Sequence, residues 1–210
     1  MATIKRKEFS GFTLAEALAL TGVKRFEPWS IPAIGQTPSP FFYEHQKRLK
    51  IFDTFLSEAA KQLLIELVFE EVGVPYGELK IFKGVALNGE AVGGFVDYLI
   101  APNSVLPGTP LLCVVEAKKD DFEKGLAQCL AEMYVCAEKN LGVGLELEVY
   151  GIVSNGSGWQ FYRRDLKGAY WQSEAYGVQP LEPVLGAVDF VLARCTENAQ
   201  TAQEKDIHYV

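Results

Sequence analysis

The sequence predicts an α/β fold, an α+β-type mixed sheet flanked by helices, and three observations predict it. Apolar residues recur at helical steps through 42–72, switch to a period of two through 78–118, and return to helical steps through 121–138 before further strand-like runs. Hydrophobic residues make up 49% of the 210, ample for one core without disulfides or metal staples. The longest purely apolar runs, such as 111–115, are about five residues, far short of the roughly 18 needed to cross a bilayer.

Thr13 and Glu16 have capping-box spacing, so a short helix is expected over 14–20, ended near Gly22. Pro28, Pro32, Pro38 and Pro40 then interrupt regular structure, and this stretch reads as an extended arm wrapping the domain. Over 42–72, Phe52, Phe55, Leu56, Ala59, Leu63 and Leu67 mark one apolar helix face, and Gly73 with Pro75 stops the helix. Strands are expected over 78–83, 91–100 and 111–118, with turns at Asn88-Gly89 and Pro107-Gly108. A second long helix follows over 121–138. Its buried stripe is Phe122, Leu126, Cys129, Leu130, Met133 and Ala137, with Lys124, Gln128 and Glu132 standing off it as a polar line. Strands over 147–154 and 159–164, joined by Asn155-Gly156, precede a short one over 169–171. A closing helix over 184–194 leads into a polar tail expected to fray. The chain thus divides into an N-terminal helix and extended arm (1–41), an α/β domain (42–196) and a polar C-terminal tail (197–210).

Cys113, Cys129, Cys136 and Cys195 contain no CxxC pair, and with only His45 and His208 no zinc spacing can be assembled. They read as small buried hydrophobes in a reducing compartment. No basic start followed by a long apolar stretch and cleavage site opens the chain, so the expected location is cytoplasmic, with no membrane partner. Twenty Lys and Arg against 27 Asp and Glu give a net charge of -7, which argues against a protein that coats nucleic acid non-specifically. Enzymes remain open, because sites for divalent cations concentrate carboxylates and a local basic strip can meet phosphates on an acidic protein.

Two strands end in charge. In Phe95-Val96-Asp97-Tyr98-Leu99, period two puts Asp97 on the face of Phe95 and Leu99, where an isolated carboxylate is costly. The apolar run Leu111-Leu112-Cys113-Val114-Val115 finishes in Glu116-Ala117-Lys118, which places Glu116 and Lys118 on the side of Leu112 and Val114. If the strands are neighbours, the two carboxylates repel unless a cation lies between them, and oxygen ligands suit Mg²⁺ or Mn²⁺. Such an ion polarises a phosphate and helps to generate hydroxide, while the Lys118 ammonium steadies developing charge, a phosphodiesterase arrangement.

The pattern Gly94-Phe95-Val96-Asp97-Tyr98, 18 intervening residues, Val115-Glu116-Ala117-Lys118, then Gln128 on the next helix resembles the PD-(D/E)XK nuclease superfamily. Within it the pattern is most similar to the N-terminal nuclease domain of type I restriction-enzyme motor subunits and stand-alone relatives. The strand, Asn-Gly turn and strand from Val149 to Ser154, Asn155-Gly156 and Trp159 to Tyr162 resemble those that follow the helix in such domains. The resemblance implies a restriction-endonuclease-like αβββαβ core. It also implies a metal bound by Asp97, Glu116 and the Ala117 backbone carbonyl, a catalytic Lys118, and Gln128 reaching toward the metal or the nucleic-acid backbone.

A helix glutamate belongs to the same implied site. Glu58, Gln62, Glu66 and Glu70 form a four-step ladder within which helical geometry does not choose; Glu58 precedes Gly73 by 15 residues, which resembles the family's spacing and makes it the choice, and Glu66, inside the apolar face, is the runner-up. Glu132 stands where many RecB-like relatives carry tyrosine. Substrate contact is expected from Lys119, Lys124, Arg163 and Arg164, with Lys118 and Lys167 in the same basic strip, and from stacking on Trp159, Tyr162 and Trp171. The expected partner is nucleic acid, DNA first. No P-loop occurs, so a motor or a specificity function calls for a protein partner, and a homodimer is a further expectation left open. The alternative function is a non-catalytic nucleic-acid- or protein-binding module on the same fold.

Overall fold

The computed structural model describes residues 6–54, 56–118 and 121–207. In chain order it runs β1 (Lys7–Glu8), a 3-10 turn (Phe9–Gly11), α1 (Leu14–Thr21), β2 (Glu27–Trp29), α2 (Pro40–Leu49), α3 (Glu58–Gly73), β3 (Leu79–Asn88), β4 (Val92–Pro102) and β5 (Cys113–Ala117). It continues through α4 (Phe122–Gly142), β6 (Val149–Ser154), β7 (Gly158–Arg164), β8 (Tyr170–Ser173), β9 (Tyr176–Gly177) and α5 (Glu182–Ile207). Among the described residues the nine strands form one mixed sheet with helices on both faces, the α/β architecture read from the change of period. No described helix is long and apolar enough to cross a membrane.

The central order is β4-β5-β6-β7-β8-β2, with β3 antiparallel to β4 on its other side. β4 and β5 are antiparallel, β5 and β6 parallel, β6 and β7 antiparallel, so α4 is the crossover between the two parallel strands. One face packs Ile65, Val68 and Val72 of α3 and Val188 and Val191 of α5 against Ile100, Val115 and Ile152. The other packs Leu130 and Met133 of α4 and Ala17 of α1 against Leu99, Val114 and Val153. All four cysteines are free and buried in these layers, as expected of small apolar side chains.

Thr13 and Glu16 do form the capping box, and α1 stops at Gly22. The arm is not uniformly extended. Pro28 lies inside β2, which pairs in parallel with β8 at the edge of the sheet, and Pro40 occupies the first turn of α2 behind the Ser39 cap. These first residues touch both layers, with Phe9, Phe12 and Ala17 in one core and Trp29, Ile31 and Phe42 in the other.

The helix expected over 42–72 is two helices. Ser57 caps a new start, its Oγ accepting from Ala60 N–H at 3.1 Å. Phe52 and Leu56, assigned to the apolar face by period, fall in the break and are 54% and 74% exposed; Phe55 lies outside the described residues. The tail is also different from the expectation, since α5 continues through Ile207 and buries Ala199 and Ala202, while Asn198 Nδ2 donates to the Glu148 carbonyl at 3.0 Å. Leu112 precedes the first residue of β5 and joins the α3–α5 layer, not the Val114 side.

Candidate active site

β4 and β5 stay in register from Ile100↔Cys113 to Tyr98↔Val115. Just past that point Asp97 replaces the ladder with its own side chain. Its Oδ2 accepts from the Ala117 N–H at 2.8 Å, and its Oδ1 accepts from Gln62 Nε2 of α3 at 3.3 Å. Farther along β4, on the side β5 no longer occupies, β1 pairs through Lys7↔Val92 and Glu8↔Gly93. This close approach requires glycine. Gly94 has φ 152°, and a Cβ there would lie 2.8 Å from Glu8 Oε2.

Glu116 and Lys118 share the α4 side of the sheet, as period two requires. Lys118 Nζ pairs with Glu116 Oε1 and lies 3.8 Å from Glu58 Oε1 at the first turn of α3. Asp97, Glu116, Lys118 and Glu58 are thus brought together from two strand ends and one helix start. Glu66 is directed elsewhere, its Oε1 accepting from Lys83 Nζ at 2.5 Å and from Tyr98 OH at 2.9 Å. Gly125 lets α4 pass this close: a Cβ there would lie 2.7 Å from Val153 Cγ1 and 2.9 Å from Lys118 Cγ.

Burial dominates the electrostatics. Glu116 is 2% exposed, and burial followed by the nearby Asp97 charge pushes its carboxyl up to about 7, against the opposing pull of Lys118. Burial also raises Asp97, moderated by the Ala117 hydrogen bond and Lys118. Burial alone would lower Lys118, but Glu116, then Glu58 and Asp97, outweigh it and hold the ammonium above its ordinary range. Lys118 therefore stays a cation at neutral pH.

Gln128 and Glu132 are both buried on α4, one turn apart, so Lys124-Gln128-Glu132 is not a solvated line beyond Lys124. α4 meets the sheet through Gly125, Cys129 and Met133 and is packed by α1 as well, and Glu132 lies on the sheet side, beside Glu116. Glu132 is the site residue that sequence reasoning missed. It is 0% exposed, within hydrogen-bonding reach of the Glu116 carboxyl, and burial with the Glu116 charge holds it well above the usual carboxylate range. The available signal was an acid between Ala131 and Met133 with Cys129 and Cys136 on either side.

The basic strip does not assemble as expected. Lys124 is exposed at the start of α4, at the same end of the sheet as Lys118. Arg163 and Arg164 stand opposite Tyr150 and Val149, whereas Ala117 is level with Ser154, a separation of about four residues or 13 Å along the strands. Arg163 pairs with Glu148 at 3.3 Å and lies over the rings of Trp29 and Trp171. Trp159 and Tyr162 are buried and offer no stacking surface, and Trp171 donates its Nε1–H to Asp165 at 3.0 Å. Lys119 lies outside the described residues.

Glu116 Oε2 is buried without a hydrogen-bond donor among the described residues, the kind of atom a cation satisfies. The donors are hard oxygens, so Asp97, Glu116 and the Ala117 carbonyl fit Mg²⁺ or Mn²⁺. Among the described residues no three His, Cys, Asp or Glu side chains are already arranged as a metal cage. Comparison of the chain with protein-family models and with curated proteins finds no match.

Proposed function

We propose that this protein is a metal-dependent nuclease, of PD-(D/E)XK type, that hydrolyses phosphodiester bonds in nucleic acid, with DNA as the first substrate to test. The observation that carries the reading is the meeting of Asp97, Glu116 and Lys118 at the diverging ends of β4 and β5. Structural carboxylates usually take surface positions, and two of them beside a buried lysine at a strand end are a costly arrangement that chemistry explains.

Asp97, Glu116 and the Ala117 carbonyl would hold a divalent ion that supplies charge neutralisation and polarisation at the phosphate. Asp97 is oriented from both sides, by Gln62 and by the Ala117 amide, so its carboxylate is preset. Lys118 places a positive charge where the phosphate gains negative charge as water attacks phosphorus and the ester P–O bond breaks. Glu58, more than half exposed and 3.8 Å from Lys118, tethers that ammonium at the solvent side.

The test is nicking of supercoiled plasmid with Mg²⁺ or Mn²⁺, wild type against the Asp97→Ala, Lys118→Ala double variant. Loss of nicking in the variant supports the reading, whereas identical behaviour across DNA and RNA substrates removes it. A second reading, a binding module that keeps the fold without turnover, is favoured by the burial of Glu116 and Lys118. It predicts no heat on titration with Mg²⁺ and recovery of a nucleic-acid or protein partner.

A further inference from the structure

Behind β5 lies a second acid that the proposed chemistry has not used. Glu132 projects from the middle of α4 into the layer between helix and sheet, fully buried, with neither carboxyl oxygen meeting a hydrogen-bond donor among the described residues. It lies within hydrogen-bonding reach of Glu116, whose Oε2 is likewise unpartnered. Its helix neighbours Cys129, Met133 and Cys136 are buried and offer it no strong donor. Ionised, these two facing side chains present three buried acceptor oxygens, and Lys118, the cation beside them among the described residues, is engaged on Glu116 Oε1, so a further positive centre between them would satisfy the rest.

We propose that Glu132 is a third carboxylate of the divalent-cation site, delivered by α4 from the side of β5 opposite α3. This rests on the nuclease reading above and deepens it. Ionised Asp97, Glu116 and Glu132 with Lys118 carry a net charge of minus two, which one dication neutralises, while the more exposed Glu58 faces Lys118 from the solvent side. The arrangement also accounts for an acid on the most deeply covered helix, where a lone carboxyl is otherwise only a cost. Glu116 lies within hydrogen-bonding reach of both Asp97 and Glu132, and the three are not a ready cage, so side-chain rotation accompanies binding.

The experiment is calorimetric titration of the full chain with MnCl₂, for wild type, Glu132→Gln and Asp97→Asn, with a thermal melt of each to verify folding. The expected result is binding by wild type, weakened at least about tenfold in each variant. Wild-type affinity in folded Glu132→Gln, with Asp97→Asn impaired, overturns the role of Glu132 and leaves the nuclease reading standing. No binding by wild type overturns both. Manganese-soaked crystals of the unmutated protein give an answer that does not depend on the variant folding. Anomalous density about 2.1 Å from a Glu132 oxygen supports the proposal, and an ion bonded to Asp97 and Glu116 with Glu132 out of reach refutes it.

Discussion

Glu116 on β5 and Glu132 on α4 bring their carboxyl groups face to face inside the protein, and neither finds a full set of donors among the described residues. Each is held protonated to higher pH than in the unfolded chain, and that has a measurable sign.

In chelator-treated protein, stability should fall as pH rises through the window from about 4.5 to about 7. The Glu116 carboxyl, ordinarily near 4.5, is raised to about 7 by burial and by Asp97, so in that window the native state binds more protons than the unfolded state. The loss amounts to at most about 1.4 kcal/mol per pH unit for one such group. Urea midpoints at pH 5 and pH 7.5 measure it, and Glu116→Gln should flatten the difference. Equal slopes in the two proteins would count against the raised carboxyl.

Gly125→Ala should destabilise by about 1–3 kcal/mol, because the added methyl meets Val153 and Lys118 where α4 crosses the end of β5. It should also reduce nicking more than a stability-matched change far from the site, since Lys118 is the neighbour able to yield. A variant that melts and cleaves like wild type would show that α4 moves away freely.

Asn140→Ala should cost about 2–4 kcal/mol in chemical denaturation. The Asn140 amide is buried and makes two bonds to Leu111, accepting from its N–H and donating to its carbonyl, both at 2.8 Å. Removing it strands both backbone groups in the interior. A loss below about 1 kcal/mol would mean that water replaces the amide.

Deleting 197–210 should lower the melting temperature by several degrees, on the order of 1–3 kcal/mol, because Ala199 and Ala202 leave the core and Asn198 releases the Glu148 carbonyl. An unchanged melt would restore the reading of this stretch as a tail.

What the sequence made legible follows from how locally each feature is determined. The α/β class, the capping box and the three central strands rest on period and spacing, and the structure has them. Asp97, Glu116 and Lys118 stood out because charges interrupt apolar strands, and Glu58 because of its distance to Gly73; all four meet. The break between α2 and α3 was hidden because Phe52, Phe55 and Leu56 continue the helical step through it, while the new cap at Ser57 gives only a weak signal. Glu132 reads as part of a polar line off the buried stripe because that stripe is set by apolar residues alone, and its place against Glu116 of β5 is tertiary information. Arg163 and Arg164 were placed near the carboxylates because register between β6 and β7, which sends them to the other end, cannot be counted from one strand alone. The last turns of α5 were missed because their buried face is made of alanines, whose small apolar signal is lost among Gln, Glu and Thr.

The N-terminal segment starts in the layer under α4, rounds the sheet at β2, and finishes in the layer under α3 and α5. A strap seated in both layers cannot be peeled from one while the other stays shut. Amide exchange in β2 and β8 should therefore proceed only through openings shared by the whole molecule, and a protease should find no cut there that releases one half intact.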